Sequence, residues 1–461
     1  MTVRKGQCLE LKISDIAYGG SGVAKLDGFT VFVDKTIPQD RIIARIIKKK
    51  KNFAQARILK ILEPSADRIT APCRYSGICG GCTWQFLKYE KQLQYKKKHV
   101  IDCIEHIGLV KAAVNDTTAS PLTFGYRNKM EFSCSDRRWL TEEQMGQKDI
   151  DRTFALGLHV PGTFYKVLDT KACLLQPSCG NRILEDVRSF MKESSMPVYG
   201  LKSHQGFWRF LVLRHSVAYD QWMINIVTAS QNKEAVLPLA ELLMNKYPSI
   251  VSVVNNITAR KSGVAIGEKE IQLLGFRFLK DKIGPFVFEI SANSFFQTNT
   301  LGAGRLYEIV KAYAGLTGTE TVIDLYSGAG TIPVFLSGSA EEIIGMEISQ
   351  GAVADAVRNC KRNGVTNCRF ITGDIRESLS EISVSPDVMI IDPPRVGMHK
   401  DVVQQVLGLA PERVVYVSCN PATLARDLAM MKEKYKLIEV QPVDMFPHTF
   451  HVESVAKLVR K

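Results

Sequence analysis

No stretch of this 461-residue chain reaches the roughly 18 consecutive apolar residues that a bilayer-spanning helix needs, which excludes a helical membrane protein. The opening Met1-Thr-Val-Arg-Lys-Gly lacks the apolar core of a signal peptide, so a cytoplasmic location and no membrane partner are expected. Internal repeats and low-complexity tracts are absent, which removes solenoids and disordered tails. Without a secretory signal, the 11 cysteines are not expected to form a disulfide framework. The six-position glycine signature of dinucleotide folds is also missing, which counts against NAD as a cofactor.

What is present fits a soluble enzyme or binding protein of two or three domains. Hydrophobic residues make up 45% and charged residues 23%, ordinary values for a globular chain. Charge is placed unevenly. Residues 1–110 hold 20 basic and 10 acidic side chains, +10 of a formal net +13. A basic N-terminal quarter on an otherwise balanced chain points to a polyanion partner, a solvated basic face being the plainer reading.

Residues 1–63 read as five short strands: Cys8–Ile16, Val23–Lys25, Thr30–Val33, Arg41–Ile47 and Ala54–Leu62, separated by glycine- and proline-bearing turns. That spacing suits a small OB-like β-barrel, with Lys48–Lys51 and Phe53 at one turn as a candidate phosphate and stacking contact. Residues 64–290 form a mixed central region, in which a helix is expected over Phe86–Ile107 with Leu93, Val100, Ile104 and Ile107 near one face. From residue 291 to 461, strands and helices alternate. That pattern means an α/β, doubly wound, mainly parallel sheet with ligands at the carboxyl ends of its strands.

Three motifs carry chemistry. Asp324-Leu-Tyr326-Ser-Gly328-Ala-Gly330-Thr331 lies between a strand and a helix, where glycines let the backbone approach a nucleoside. Glu347 ends the next strand, placed for a ribose diol, and Asp374 follows the third, placed for an adenine edge. This arrangement favours S-adenosylmethionine. Asp392-Pro-Pro-Arg395 ends the fourth strand; an aromatic in place of Arg395 would point to methylation of an amino nitrogen. Ser418-Cys419-Asn420-Pro421 ends the following strand, where Cys419 is set for nucleophilic attack and nearby helix N-termini are expected to favour its thiolate. Glu453, in Phe446-Pro-His-Thr-Phe-His-Val-Glu453-Ser454, is the candidate base.

Asp392-Pro-Pro-Arg395, the run Ser418-Cys-Asn-Pro-Ala-Thr-Leu-Ala-Arg-Asp427 and the Phe446–Ser454 motif resemble the RNA 5-methyluridine methyltransferase family. The barrel and a cysteine cluster, Cys73-x₅-Cys79-x₂-Cys82, resemble its bacterial 23S rRNA (uracil-5-)-methyltransferase branch, with a TRAM domain and a [4Fe–4S] cluster. The resemblance implies a Rossmann-like class I methyltransferase domain over 291–461, an N-terminal TRAM domain over 1–63 and a central α+β iron–sulfur domain over 64–290. It implies Cys419 as nucleophile, Glu453 as base, and Gln297, Tyr326, Thr331, Glu347, Asp374 and Asp392 lining the cofactor site beside Gly328 and Gly330. Relatives often carry Phe-Cys where this chain has Tyr326-Ser327, so a cysteine there is not part of the chemistry.

Spacing alone makes zinc the commoner occupant of such a cysteine run, and a fourth cysteine is needed either way. The resemblance turns this to [4Fe–4S] with Cys173 as fourth ligand; Cys179 and Cys134 are the fallbacks, and stiffening of the RNA-binding domain is the expected role. Segments Tyr126–Phe132, Arg209 and Arg214 resemble parts near the RNA path in relatives, and Phe295-Phe296 is a candidate stacking pair for an extruded base. The expected activity is C5 methylation of a uridine in 23S rRNA by a monomer that binds RNA and not DNA. The same reaction on tRNA is the alternative. A 5-methylcytosine enzyme would show a second cysteine at Arg395, a non-catalytic RNA chaperone would have no use for Cys419 with Glu453, and an iron–sulfur redox enzyme would need a second cofactor.

Overall fold

The computed structural model describes residues 3–147 and 149–461; Met1 and Thr2, which open the expected N-terminal domain, lie outside the described residues. The first body is a six-stranded sheet in the spatial order Cys8–Lys12, Arg41–Lys49, Phe53–Glu63, Phe29–Val33, Gly22–Leu26, Asp15–Ile16. Period-two alternation builds its core from Leu9, Leu11, Val31, Val33, Ile42, Ala44, Ile46, Ala54 and Ala56. The single run expected over Cys8–Ile16 is two strands. Ile13 N–H donates to the Asp40 carbonyl and Ser14 N–H to that of Val23, so the chain changes partner there as the sheet curls. Lys48–Lys51 are exposed at a strand-to-strand turn, and the Phe53 ring meets Phe32 edge-on at 5.6 Å.

The second body is an eight-stranded sheet from Lys129–Ser135 through Lys269–Gly275. Helices Ser178–Glu193 and Lys233–Lys246 cover one face, packing Ile183, Leu184, Val187, Leu239 and Leu243 onto Phe132, Leu211, Leu213 and Ile224. Arg209 and Arg214, expected near an RNA path, are buried here. Arg209 donates to the carbonyls of Thr258 and Ser262 and lies over the Tyr199 ring, while Arg214 donates to those of Ala292 and Ser294. Their charge is spent on backbone groups that strands cannot pair, which corrects the sequence reading.

The third body is an eight-stranded sheet in the order Cys368–Thr372, Glu342–Glu347, Thr321–Leu325, Val388–Ile391, Arg413–Ser418, Glu453–Arg460, Tyr435–Val443, Ala113–Val114. The first five strands are parallel; Glu453–Arg460 is antiparallel to both its neighbours. These strands are near-continuous apolar runs because both faces are covered. Val322, Ile343, Ile390 and Val415 feed the core on one side, and Ile323, Ile344, Met389 and Val414 that on the other. Earlier parts of the chain complete this body. Hairpin Leu279–Ile283/Phe286–Ile290 adds Leu279, Ile283, Phe288 and Ile290 to the first core. Helix Tyr89–His106 adds Val100, Cys103 and Ile104 to the second, with Gly108 just beyond its end. Its buried face also includes Gln92, Lys96 and His99, whereas Ile107, expected on that face, is largely exposed. Among the described residues no helix is long and apolar enough to cross a membrane.

Candidate active site

Strands Arg413–Ser418 and Glu453–Arg460 pair antiparallel as far as Ser418 opposite Ser454. Cys419 directly follows Ser418 and Glu453 directly precedes Ser454, so both stand where this ladder ends. Glu453 is 5% exposed. Burial, reinforced by Asp392, pushes its carboxyl up to about 8, and Arg395 opposes the rise. Burial and then Glu453 push the Cys419 thiol up to about 11, Arg395 again opposing. Helix Pro421–Met431 does begin just after Cys419, capped by Asn420 Oδ1 accepting from Ala422 N–H at 3.1 Å. Desolvation and the neighbouring carboxyl thus work against the thiolate that a helix N-terminus would favour.

The expected cofactor residues gather at the carboxyl ends of the neighbouring strands. Asp324, 2% exposed, has neither carboxyl oxygen paired in the protein, and the Ser327 hydroxyl beside it is likewise unpaired. Burial, then Asp392 and Glu347, raise Asp324 well above the usual carboxyl range; burial raises Asp392 to about 7. Buried polar atoms without partners are what a polar ligand satisfies, so this end of the sheet fits a nucleoside cofactor. Tyr326 turns the chain at φ 66°, a conformation costly for a side-chain-bearing residue. Gly330 sits at φ 73°, where a Cβ would come 2.8 Å from that of Ala356. Glu347 accepts from the N–H groups of Gly328 and Ser349, which aims its carboxylate over the glycine turn. Asp374 instead caps the short helix Ile375–Ser378 and pairs with Arg376. Gln297 enters from the loop before helix Thr300–Ala314, its carbonyl accepting from Asn128.

Cys73, Cys79, Cys82 and Cys173 all line one cavity of about 350 Å³, with Arg127 and His159 in its wall. Asn181 pins Cys173 by accepting its N–H and donating to its carbonyl. Burial raises the thiols of Cys79 and Cys82 to about 11 and about 12, while Arg127 opposes the rise at Cys79. Its Nε is buried without a partner. Cys134 lies in the apolar core against Met191, and neither it nor Cys179 lines the cavity. Among the described residues no three His, Cys, Asp or Glu side chains are gathered as around a single metal ion. Four thiols lining one cavity beside a half-buried cation are a donor set that suits a soft, anionic group larger than one ion.

Sequence reasoning passed over several neighbours of the site. Tyr307 is fully buried, and its hydroxyl is 2.7 Å from Thr331 Oγ1; in the sequence it is one apolar position of a helix. The loop before Glu453 is tied down by distant residues. His448 N–H donates to Gln92 Oε1, its carbonyl accepts from Thr83 and Trp84 N–H, and its ring stacks on Phe124 at 4.2 Å. Nothing in the local pattern at Gln92 or Thr83 announces a partner some 360 residues away. Phe296 is core, whereas Phe295 is 69% exposed and keeps the stacking candidacy.

Residues 257–461 match the family described as tRNA (Uracil-5-)-methyltransferase, and residues 2–59 match the TRAM domain. An uncharacterized RNA methyltransferase of Chlorobaculum tepidum is 42% identical, covering 98% of this chain and 96% of its own. Another, from Porphyromonas gingivalis, is 38% identical over 98% and 99%. The crystal structure of Pyrococcus abyssi tRNA (uracil-54, C5)-methyltransferase in complex with S-adenosyl-L-homocysteine superposes with a TM-score of 0.76 at 29% identity, covering 98% of this chain and 100% of that one. The chain therefore belongs to the RNA 5-methyluridine methyltransferase family, with a TRAM domain ahead of its methyltransferase fold.

Proposed function

We propose that the chain methylates C5 of uridine in 23S rRNA through a covalent bond between Cys419 and C6 of the base. The observation that carries this reading is that Cys419 and Glu453 stand together at the end of one strand ladder, with Arg395 acting on both. When bound, S-adenosylmethionine supplies an electrophilic sulfonium methyl group. Gln297, Tyr326, Gly328, Gly330, Thr331, Glu347, Asp374 and Asp392 are the residues that would hold it.

Uracil C5 is too weak a nucleophile to take a methyl group unaided. Cys419 gives up its proton to solvent and adds Sγ to C6, and the C5=C6 electron pair moves onto O4 as an enolate, which makes C5 nucleophilic. After methylation Glu453 accepts the C5 proton, the C5=C6 bond re-forms, and Sγ leaves C6. General-base assistance of this kind is worth about 10²–10⁴ in rate. The target base must leave its stack, at about a few kcal/mol, and the exposed Phe295 ring is placed to stack on it or on a neighbour.

Cys73, Cys79, Cys82 and Cys173 would hold a [4Fe–4S] cluster, stiffening the region that carries Arg127. The same reaction on tRNA is the second reading, favoured by the likeness to the Pyrococcus abyssi tRNA enzyme along the whole chain. Tritium release from 5-³H-uridine-labelled 23S rRNA and tRNA transcripts, for wild type and Cys419→Ala, tests both. Release from rRNA by wild type alone supports the proposal, and release only from tRNA replaces the substrate. Release by Cys419→Ala at the wild-type rate ends the covalent mechanism.

A further inference from the structure

The N-terminal sheet reaches the methyl-transfer site through a loop that the chemistry above leaves unused. Between strands Asp15–Ile16 and Gly22–Leu26, residues 17–21 close a tight turn, Ala17 N–H donating to the Ser21 carbonyl and Gly20 N–H to that of Ala17. Gly20 adopts φ 90°, and a Cβ there would come 3.3 Å from Phe450 and from Trp84, so the turn is pressed onto both. Trp84 Nε1 donates back to the Gly20 carbonyl at 3.3 Å.

This turn carries Tyr18 across to the catalytic strands. The ring meets Phe450 edge-on at 5.7 Å and His99 at 5.9 Å. The hydroxyl donates to Asn420 Oδ1 at 3.3 Å. Asn420 follows Cys419, caps the next helix through that same oxygen, and donates from Nδ2 to the Arg395 carbonyl at 3.1 Å. A single amide thus joins the residue after the nucleophile to the loop bearing Arg395. The groups acting on the Cys419 thiol are Glu453 and Asp392, which raise it, and Arg395, which lowers it. The Arg395 carbonyl also accepts from Thr423 Oγ1 at 3.3 Å, so Asn420 is one of two side chains holding the loop that bears the one cation of that set, and slackening it loosens that hold.

We propose that Tyr18 is a positioning residue for methyl transfer: by holding Asn420 it keeps Arg395 and Cys419 in register, so the N-terminal domain completes the site. The proposal rests on the reading of Cys419 as nucleophile. The hydrogen bond of the phenol runs to Asn420, while Cys419, Arg395 and Glu453 lie near enough to act on it electrostatically.

The test uses the full chain with Tyr18→Phe, which keeps the ring contacts and removes only the hydroxyl. Methylation kinetics are read together with the pH profile of iodoacetamide alkylation at Cys419, followed by peptide mass spectrometry without RNA. The expected result is a kcat about five- to tenfold lower with KM for RNA unchanged, the scale of one lost hydrogen bond. Alkylation is displaced to higher pH. Asn420→Ser, which retains a capping oxygen but loses the amide's own bond to the Arg395 carbonyl, shifts alkylation the same way, and the double variant adds little. A raised KM with unchanged kcat would make Tyr18 an RNA contact and overturn the proposal, as would an unmoved alkylation profile. Were wild type to methylate no RNA, the nucleophile reading would fall, while the alkylation profile would still decide the role of Tyr18.

Discussion

The Lys96 ammonium lies 2.5 Å from Asp444 Oδ1, and neither side chain has any exposed surface. Lys96 also donates to the Phe446 carbonyl, and Phe446 N–H donates to Asp444 Oδ1. The pair clamps helix Tyr89–His106 to the loop that leads into Glu453. Burial pulls the lysine's pKa down and the adjacent Asp444 opposes that pull. Truncation of Lys96 to Ala is expected to destabilise the protein by about 3–5 kcal/mol, because it strands a buried carboxylate. Lys96→Met with Asp444→Leu should recover most of that loss. Urea unfolding of the three variants checks this, and a single variant as stable as wild type would sink the idea.

Glu453→Gln should lower turnover by about 10²–10⁴ while leaving thiol addition and methyl transfer intact. The adduct then lacks the base that resolves it. A denaturant-stable RNA–protein band that needs Cys419 is the expected signature. Turnover within a factor of two or three of wild type, with no such band, would remove Glu453 from the mechanism.

The same carboxyl sets a pH dependence. It must be ionised to accept the C5 proton, and in the folded protein it is held at about 8. Methylation should therefore rise throughout pH 6 to 9, more steeply below about 8, where both Glu453 and the Cys419 thiol must lose protons, than above it, where only the thiol must. Arg395 lowers both Glu453 and Cys419, so Arg395→Met should move the profile to higher pH. A rate that is flat or falling over that range would contradict the assignment.

Stability should run the other way. A carboxyl raised from its ordinary 4.5 to about 8 contributes stability that is whole below 4.5 and is lost as pH climbs through 8. Glu453→Gln does not titrate. Its melting temperature should fall less than that of wild type between pH 5 and 9, and parallel curves would refute the burial argument.

For the cysteine cavity, anaerobic reconstitution of wild type should give a broad visible absorbance with iron and sulfide bound. Cys73→Ser or Cys173→Ser should lose it; Cys134→Ser and Cys179→Ser should not, since neither lines the cavity. Tightly held zinc without iron in wild type would replace the cluster with a zinc site.

The sequence by itself determined the alternating α/β body, because strands covered on both faces must be unbroken apolar runs, and those of Thr321–Leu325 and Val388–Ile391 are visible as such. It also determined where chemistry is concentrated: carboxylates and Cys419 stand where those runs stop. Local pattern has no term for partners hundreds of residues away. Lys96, Arg209 and Arg214 count as surface charge in any composition, yet each is buried against groups from remote segments. Ala113–Val114, too short to read as a strand, pairs only because Tyr435–Val443 offers an edge. The register of Ser418 against Ser454 brought a cysteine and a carboxylate 34 residues apart to the same end of one ladder, and that register comes from pairing between strands. Tyr18 is one residue in a glycine-rich turn until the N-terminal sheet docks. Only the tertiary structure brings its hydroxyl to Asn420, because the contact is made between bodies that each fold around a separate core.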